Sequence, residues 1–264
     1  MPNYNKTENV VQQYSNDENL SIRISLHTKY STNKKGFVSW LFEQYKFENN
    51  YRILELGCGN GSQWEGRIDE LPDGCSLILS DFSEGMVDTV KRKYSQYENV
   101  SFEQLDIQSI GFPDKSFDVV IANHMLYHVP DLSKALSEVK RVLKTDAGFY
   151  STTIGNGGMR SFLHNAFKHF NPDTKAFTQQ WSFSLQNGFE ILNRHFSNVE
   201  RLDYEDSLAV TETEDLMDWI KSTISMASYS KNDIEGLFEY FENIRRINGA
   251  INISKEGGLF ISKK

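Results

Sequence analysis

The chain has few cysteines and prolines and no long apolar run. Of its 264 residues, 2 are cysteine and 5 are proline. Cys58 and Cys75 do not have the spacing of metal ligands, so we expect no metal site. Neither a signal-peptide pattern nor an apolar stretch of about 18 residues is present. We therefore expect a soluble, cytoplasmic protein that does not use a membrane.

The sequence also lacks an excess of positive charge. Lysine and arginine total 28 against 36 aspartate and glutamate residues, which gives a formal net charge of -8. Nucleic-acid binders usually carry a basic face, so we expect no nucleic-acid partner. Hydrophobic residues make up 39% of the chain, enough for the core of one large domain or of one domain with an inserted lid. Nothing in the composition predicts an oligomeric state.

A glycine-rich stretch, LELGCGNG, occupies residues 54–61. Residues 52–56 are mostly apolar and predict a short strand that is buried on both faces. Gly57, Gly59 and Gly61 then follow at alternate positions. Glycine permits positive φ and lets a ligand lie against bare backbone. A strand followed by a glycine loop is typical of a nucleotide-binding α/β sheet.

The spacing of this loop narrows the choice of ligand. A dinucleotide fingerprint places its third glycine where this chain has Ser62, and a P-loop needs a lysine that is absent here. Glu55 instead stands two residues before the first glycine. A carboxylate repels phosphate but suits an ammonium or a sulfonium. Ser62 is a suitable N-cap and predicts a helix that runs to about Glu70.

The E-x-G-x-G-x-G loop resembles motif I of the class I S-adenosylmethionine-dependent methyltransferases. The resemblance extends over roughly residues 53–148, and residues 112–144 are similar to the small-molecule enzymes of this family. It implies a Rossmann-like, doubly wound α/β fold whose seven-stranded sheet has the order 3-2-1-4-5-7-6, with strand seven antiparallel. It also implies S-adenosylmethionine as the cofactor and S-adenosylhomocysteine as its product.

The ends of the next two predicted strands carry acids. Asp81 lies near the offset at which an acid meets ribose hydroxyls, and its carboxylate can accept from both of them. The resemblance implies that Asp106 lies by the adenine amine with Ile107 against the ring. The candidate cofactor-binding residues are Tyr30, Glu55, Gly57, Gly59, Asp81, Phe82, Met86, Asp106, Ile107 and Asn123.

Several of these residues have structural alternatives. Asp81 could simply begin a helix, although the glycine loop favours the ribose role. Met86 could rest under the adenine or pack in the core. The resemblance suggests Tyr30 as a contact near the methionine end of the cofactor. Tyr30 and His27 could equally fasten the N-terminal arm.

Methyl transfer needs a dry site and a nucleophile held in line with the methyl group. His124 and His128 follow the fourth predicted strand and are the candidates for a general base. His128 precedes a helix entry, which favours a structural hydrogen bond, and many methyltransferases of this kind need no base. The candidate residues of the substrate pocket are His27, Tyr127 and Trp181.

We divide the chain into four parts. These are a helical N-terminal arm over the cofactor at 1–50, a Rossmann-like core at 51–155, a helical lid at 156–198, and the rest of the sheet with helices at 199–264. The lid contains eight aromatic residues, which could form its core. We expect the arm and the lid to border one cavity, because methyl transfer requires the exclusion of water.

The sequence predicts a methyltransferase that acts on a small-molecule acceptor. One alternative is a nucleic-acid or protein methyltransferase. Base-amine enzymes resemble one another in an Asn/Asp-Pro-Pro-Tyr run, where this chain reads Asn123-His124-Met125-Leu126. Another alternative is a non-catalytic protein that keeps the fold. The early third glycine disfavours a nicotinamide dehydrogenase.

Overall fold

The computed structural model describes residues 18–178, 180–223 and 231–264. The first part of the predicted arm, residues 1–17, lies outside these ranges. The helices are α1 Glu18–Tyr30, α2 Phe37–Gln44, α3 Glu84–Tyr94, α4 Leu132–Val142, α5 Gly158–Phe170, α6 Gly188–Asn193, α7 Thr213–Lys221 and α8 Lys231–Asn248. The strands are β1 Arg52–Leu56, β2 Ser76–Asp81, β3 Val100–Gln104, β4 Phe117–Asn123, β5 Leu143–Ile154, β6 Ser197–Tyr204, β7 Ser207–Val210, β8 Ile251–Ser254 and β9 Gly257–Lys263.

The main sheet has seven strands in the order β3-β2-β1-β4-β5-β9-β6. The first five pair in parallel, whereas β9 runs antiparallel to both β5 and β6. The predicted strand order and the antiparallel last-formed strand are therefore confirmed. Helices cover both faces of the sheet, so its central strands are buried on both sides and their sequences are nearly continuous apolar runs.

Two amphipathic helices on opposite faces illustrate the packing. The apolar stripe of α4, which includes Leu136 and Val139, is buried in the cluster of one face. On the other face, Leu41 of α2 and Tyr45, which follows α2, pack near Ile53 of β1. The side chain of Asp131 accepts from the backbone N–H of Lys134, so Asp131 caps the N-terminus of α4.

The predicted helix from Ser62 to Glu70 does not form. The chain instead makes two short 3-10 turns, at Ser62–Trp64 and Ile68–Glu70. Between them, Gly66 has φ of 70°. This left-handed conformation cannot continue a right-handed helix, so the prediction was wrong at this element.

A second core lies outside the main sheet. We call it the cap, and it consists of α1, α5, β7, α7, α8 and β8, which share one hydrophobic cluster. Strands β7 and β8 form their own antiparallel pair. The region 199–264 was predicted to complete the sheet. Its parts 207–223 and 231–254 instead belong to the cap, because β7 and β8 bury their apolar residues against helices of the arm and lid.

The predicted lid is divided between the two cores. Phe162, Phe167 and Phe177 belong to or pack against the cap cluster. Phe183 and Phe196 instead lie in the cluster of the main sheet. The expectation that the aromatic residues of this segment form one lid core was therefore wrong, since α6 packs on β6 and β9.

The cap joins the sheet where several chain segments pass between the two cores. Asp206 lies in one of these segments and Lys255 in another, and the Lys255 ammonium donates to the Asp206 carboxylate. The same carboxylate accepts from the hydroxyl of Ser31, which follows α1, and from the backbone N–H of Asn33. One buried acid thus holds the arm, the β6–β7 link and the β8–β9 link together.

Candidate functional site

A cavity of about 860 Å³ lies between the cap and the carboxyl ends of the central strands. Its floor includes the glycine loop after β1 and the residues that follow β2 and β4. Side chains of α1 border it on one side, and the segment from Ile154 to Arg160 borders it on another. The structure thus brings the arm and the lid segment to one cavity, at the edge of the sheet where ligands of such folds bind.

The glycine loop requires glycine for two reasons. Gly57, Gly59 and Gly61 have φ values of 70°, 56° and 70°. A Cβ on Gly57 would also lie 2.9 Å from the side chain of Met125, and one on Gly59 would lie 3.0 Å from Leu20. The loop is therefore enclosed by side chains as well as strained for any other residue, while Gly57 and Gly59 still line the cavity.

Asp81 ends β2 beside this loop. Its Oδ2 accepts from the backbone N–H of Gly59 at 2.9 Å, and its Oδ1 accepts from that of Ser83 at 2.9 Å. Burial raises the pKa of this carboxyl. Each carboxylate oxygen can accept a further hydrogen bond. Asp81 can therefore brace the loop and still receive ligand hydroxyls.

The next acid along the sheet edge is Asp106. Its carboxylate accepts from the backbone N–H of Gln108 at 2.8 Å and borders the cavity together with Ile107, which is buried. Phe82, next to Asp81, also borders the cavity and is 39% exposed. These residues form a wall with polar and apolar parts that suits a heteroaromatic ring.

Glu55 is buried at the end of β1. Its carboxylate accepts from the indole N–H of Trp64 at 2.5 Å and from the side-chain amide of Gln63. Burial, assisted by the charge of Asp81, raises the pKa of Glu55 to about 8, although the bond from Trp64 opposes this shift. A carboxyl that burial makes costly to ionise is well suited to meet a cation.

Asn123 ends β4 and, like Glu55, borders the cavity. Its amide nitrogen donates to the hydroxyl of Tyr45 at 2.8 Å and to Oε1 of Gln63 at 2.7 Å. Within the described parts of the chain, its Oδ1 is buried without a hydrogen-bond partner. Gln63 therefore links Glu55 to Asn123, a role that the sequence analysis missed. The only local signal is an amide side chain shortly after the glycine loop.

The residues after β4 form a compact aromatic group. His124 has φ of 51°, and its ring lies 5.2 Å from that of Phe37. Burial and the charge of Lys255 lower the pKa of His124 to about 4. The ring of Tyr127 lies 4.6 Å from that of His128 and 4.5 Å from that of Trp181. All four of the predicted residues in this group border the cavity, namely His124, Tyr127, His128 and Trp181.

Two predicted cofactor contacts lie elsewhere. The hydroxyl of Tyr30 donates to the carboxylate of Asp215 at 2.5 Å, and its ring belongs to the cap cluster rather than to the cavity wall. Met86 is fully buried in the first turns of α3 and does not border the cavity either. For Tyr30 the fastening role holds, and for Met86 the packing role holds. Both residues are removed from the candidate cofactor site.

His27 lies on the cap side of the cavity. Burial first, and then the charges of Lys255 and His124, lower its pKa to about 3, against an opposing effect of Asp206. Its ring meets that of Trp219 in a T-shaped contact with 6.5 Å between centroids. His27 therefore remains a substrate-pocket candidate, and Trp219 is a neighbour that the sequence analysis did not identify.

The fold and the site together define a class of protein. A parallel sheet with one inserted antiparallel strand, a glycine loop after β1 and an acid at the end of β2 are the features of the class I S-adenosylmethionine-dependent methyltransferases. Residues 54–150 match the family model described as a methyltransferase domain. The resemblance predicted from the sequence is thereby confirmed. Over the described ranges, no helix is long and apolar enough to cross a membrane.

Curated relatives with different stated activities are similar to this chain. It is 35% identical over 102 residues to the uncharacterized methyltransferase YcgJ of Bacillus subtilis, which covers 38% of this chain and 39% of that protein. It is 24% identical over 183 residues to malonyl-[acyl-carrier protein] O-methyltransferase 1 of Ilyobacter polytropus, covering 69% of this chain and 65% of that protein. The matched part is thus less than two thirds of the length of either relative.

Solved structures share the fold. The crystal structure of Bacillus subtilis YcgJ superposes with a TM-score of 0.60 at 19% identity, covering 86% of this chain and 97% of that one. The structure of Haemonchus contortus phosphoethanolamine N-methyltransferase 2 in complex with S-adenosyl-L-methionine superposes with a TM-score of 0.59 at 18% identity. The match covers 100% of this chain and 60% of that one. The structure of the [4+2]-cyclase SpnF superposes with a TM-score of 0.62 at 15% identity, covering 100% of this chain and 98% of that one.

Proposed function

We propose that this protein transfers the methyl group of S-adenosylmethionine to a small-molecule acceptor. The observation that carries the proposal is the single cavity that joins the glycine loop and Asp81 to the cap. One end has the groups that suit the cofactor. The other end is covered by arm and lid residues, which exclude water from a reacting methyl group.

The residues at the sheet edge fit this cofactor. Asp81 would accept from the ribose hydroxyls, and the wall beside Asp106 would receive the adenine. The carboxylate of Glu55 and the unpartnered Oδ1 of Asn123 are acceptors placed together, and they suit the ammonium of the methionine part. When bound, the cofactor supplies an electrophilic methyl group. The chain's own residues orient it and keep the site dry.

The shape and charge of the molecule favour a small acceptor over a polymer. The cavity, at about 860 Å³, lies within the usual range for small-molecule sites. The net charge of -8 would repel a polyanion such as RNA or DNA. The relatives support methyl transfer to varied acceptors, since one is named as a malonyl-[acyl-carrier protein] O-methyltransferase and another as a ubiquinone/menaquinone biosynthesis C-methyltransferase.

A label-transfer experiment tests the proposal. The purified chain is incubated with methyl-labelled S-adenosylmethionine and a metabolite extract, and the products are separated by size. We expect label in the small-molecule fraction, and much less of it with Asp81→Ala. Label in protein or nucleic acid would contradict the small-molecule acceptor. Cofactor binding without any transfer would contradict the activity itself and would favour a role like that of the cyclase with the same fold.

A further inference from the structure

The cap side of the cavity carries buried polar atoms that the protein does not satisfy. Across the residues that the structure describes, neither Nδ1 of His27 nor Nε1 of Trp219 has a hydrogen-bond partner. Both side chains border the cavity. Buried polar groups in native proteins are nearly always paired, and an unpaired one is costly. This pair therefore points to a polar group of a ligand.

The position of His27 on α1 separates this pair from the cofactor end. Leu20, on the same helix, lies against Gly59, and Ser21 accepts from the side-chain amide of Asn60 at 3.5 Å. His27 is seven residues further along, roughly 10 Å at the rise of an α-helix. The first turn of α1 thus reaches the glycine loop, whereas the charged groups that act on His27 are Lys255, His124 and Asp206. The unpaired atoms belong to the acceptor end of the cavity.

The hydrogen-bonding character of the pair favours an oxygen acceptor. The indole of Trp219 has an N–H donor and no acceptor. Neutral histidine can donate from Nδ1 when its hydrogen is on that nitrogen. The two rings are neighbours at the cavity, in a T-shaped contact with 6.5 Å between their centroids. With the hydrogen of His27 on Nδ1, the two side chains offer two donors, which suit a carbonyl or carboxylate oxygen and disfavour an ammonium.

Two cations, Arg160 and Lys255, border this end of the cavity. Arg160 is buried, borders the cavity and lies with its guanidinium 4.5 Å from the ring centre of Trp181. The ammonium of Lys255 lowers the pKa of both His27 and His124, so its positive field reaches both rings. Two acids, Asp206 and Glu256, border it as well.

Asp206 holds Lys255 and Ser31, and Glu256 accepts from the backbone N–H of Gly157 at 3.1 Å and from the side-chain amide of Gln186 at 3.2 Å. The formal charges of Arg160, Lys255, Asp206 and Glu256 balance, so the N–H groups of His27 and Trp219 are the features that distinguish this side of the cavity. An acceptor that is an amine would arrive as an ammonium and be disfavoured here.

We propose that the acceptor is a small carboxylic acid, which is methylated on a carboxylate oxygen while its carboxylate is held by His27 and Trp219. This inference rests on the proposed methyl transfer and specifies its acceptor. One carboxylate oxygen accepts from the N–H groups of the wall, and the other is left to react. The aromatic side chains of Tyr127 and Trp181 provide apolar contact for the rest of the molecule.

The reaction balances without a base. The carboxylate oxygen provides the electron pair of the new O–CH₃ bond, and the pair of the broken C–S bond remains on sulfur. An anion and a sulfonium become a neutral ester and a thioether, so no proton is released. The low basicity of His27 and His124 agrees with a nucleophile that is ionised before it binds.

The alkali lability of the labelled product tests this inference. Methyl esters release labelled methanol when they are treated with mild alkali, whereas ethers, N-methyl and C-methyl products retain their label. We expect the small-molecule label formed from a metabolite extract to be volatile after alkali. An alkali-stable product would overturn the carboxylate acceptor and leave the proposed methyl transfer intact. No transfer at all would overturn both.

A conservative variant tests the role of Trp219 in holding the acceptor. Trp219→Phe keeps an aromatic ring but removes the N–H together with part of the indole, and we expect about a tenfold higher KM for the acceptor, the effect of one hydrogen bond to a charged group. Its affinity for S-adenosylhomocysteine, measured by calorimetry, should be unchanged. Trp40→Phe is the matched control, since Trp40 does not border the cavity, and it should alter neither value. An unchanged KM in Trp219→Phe would contradict the assignment.

Discussion

The carboxylate of Asp81 accepts a hydrogen bond of 2.9 Å from the backbone N–H of Gly59. This bond joins the end of β2 to the loop after β1. The side chain expected to receive the ribose therefore also fixes the loop that lies beside the cofactor. The brace of the loop and the proposed ribose contact are thus the same residue.

Replacement of Asp81 should weaken cofactor binding more than folding. We expect Asp81→Ala to reduce affinity for S-adenosylhomocysteine by about 1–3 kcal/mol, or roughly 5- to 150-fold, because ribose hydroxyls and loop N–H lose their acceptor. Calorimetry measures the change. Asp114→Ala is the control, because the Asp114 side chain is 72% exposed and does not border the cavity. Equal affinities in the two variants would remove Asp81 from the site.

An alanine at Gly59 should destabilise the protein as well as the site. Its φ of 56° is strained for alanine, and the added Cβ would lie 3.0 Å from Leu20. We expect Gly59→Ala to lower the free energy of unfolding by about 1–2 kcal/mol and to weaken cofactor binding. Gly111→Ala is the control, since nothing lies within 4 Å of its added Cβ and its φ is not positive. Chemical denaturation of both variants measures the difference, and similar losses would refute the argument.

The raised pKa of Glu55 predicts two dependences on pH. A carboxyl with a folded-state pKa of about 8 and an ordinary value of 4.5 binds more protons in the folded state between these values. The free energy of unfolding of the empty protein should therefore fall as pH rises through this window. Glu55→Gln should reduce this fall.

A cation bound beside Glu55 favours its ionised form. Cofactor binding near neutral pH should thus release protons from this carboxyl, seen as a binding heat that varies with the ionisation enthalpy of the buffer. Glu65→Gln, at an exposed position, should behave like the unaltered protein. Proton release that persists unchanged in Glu55→Gln would assign the effect to another group.

The junction between cap and sheet should depend on Asp206. Its side chain is 1% exposed and accepts from Lys255 and Ser31. Asp206→Ala leaves the Lys255 ammonium without its partner and should cost about 3–5 kcal/mol. Asp218→Ala, which removes an exposed ion pair with Lys221, should cost less than about 1 kcal/mol. Similar unfolding midpoints for the two variants would contradict the role of Asp206.

The pH dependence of this junction has the opposite sign to that of Glu55. Burial opposes ionisation of Asp206, but hydrogen bonds from Lys255 and Ser31 outweigh it and lower its pKa. The stability that it contributes is present above its ordinary pKa of 3.8 and is lost as the pH falls below that value. Acid titration of the unaltered protein and of Asp206→Ala should show this difference, and parallel curves would exclude it.

The main sheet could be predicted because its signals are local. Buried parallel strands are short apolar runs, and Gly57 and Gly59 mark positions of positive φ. Asp81 and Asp106 lie at the expected edge of the sheet because Asp81 ends β2 and Asp106 comes two residues after β3, and parallel strands end at one edge. The N-caps of α3 and α4 are also local, because Ser83 and Asp131 each accept from a backbone N–H three residues further along the chain.

The cap could not be predicted in the same way, because long-range contacts determine it. Tyr30 was assigned to the cofactor, but its hydroxyl bonds to Asp215, which is 185 positions away. The rotation of α1 that places His27 at the cavity depends on α7 and β7, and no local pattern reports it. Likewise, Val210 of β7 pairs with Ile251 of β8, which lies far along the chain.

Calorimetric titration of the intact chain with S-adenosylhomocysteine at neutral pH, with a parallel titration with NAD, is the most direct test of the account. The structure predicts saturable binding at one site, with the affinity reduced in Asp81→Ala and retained in Asp114→Ala, and no comparable binding of NAD. No heat of binding with S-adenosylhomocysteine, or tighter binding of NAD, would contradict it.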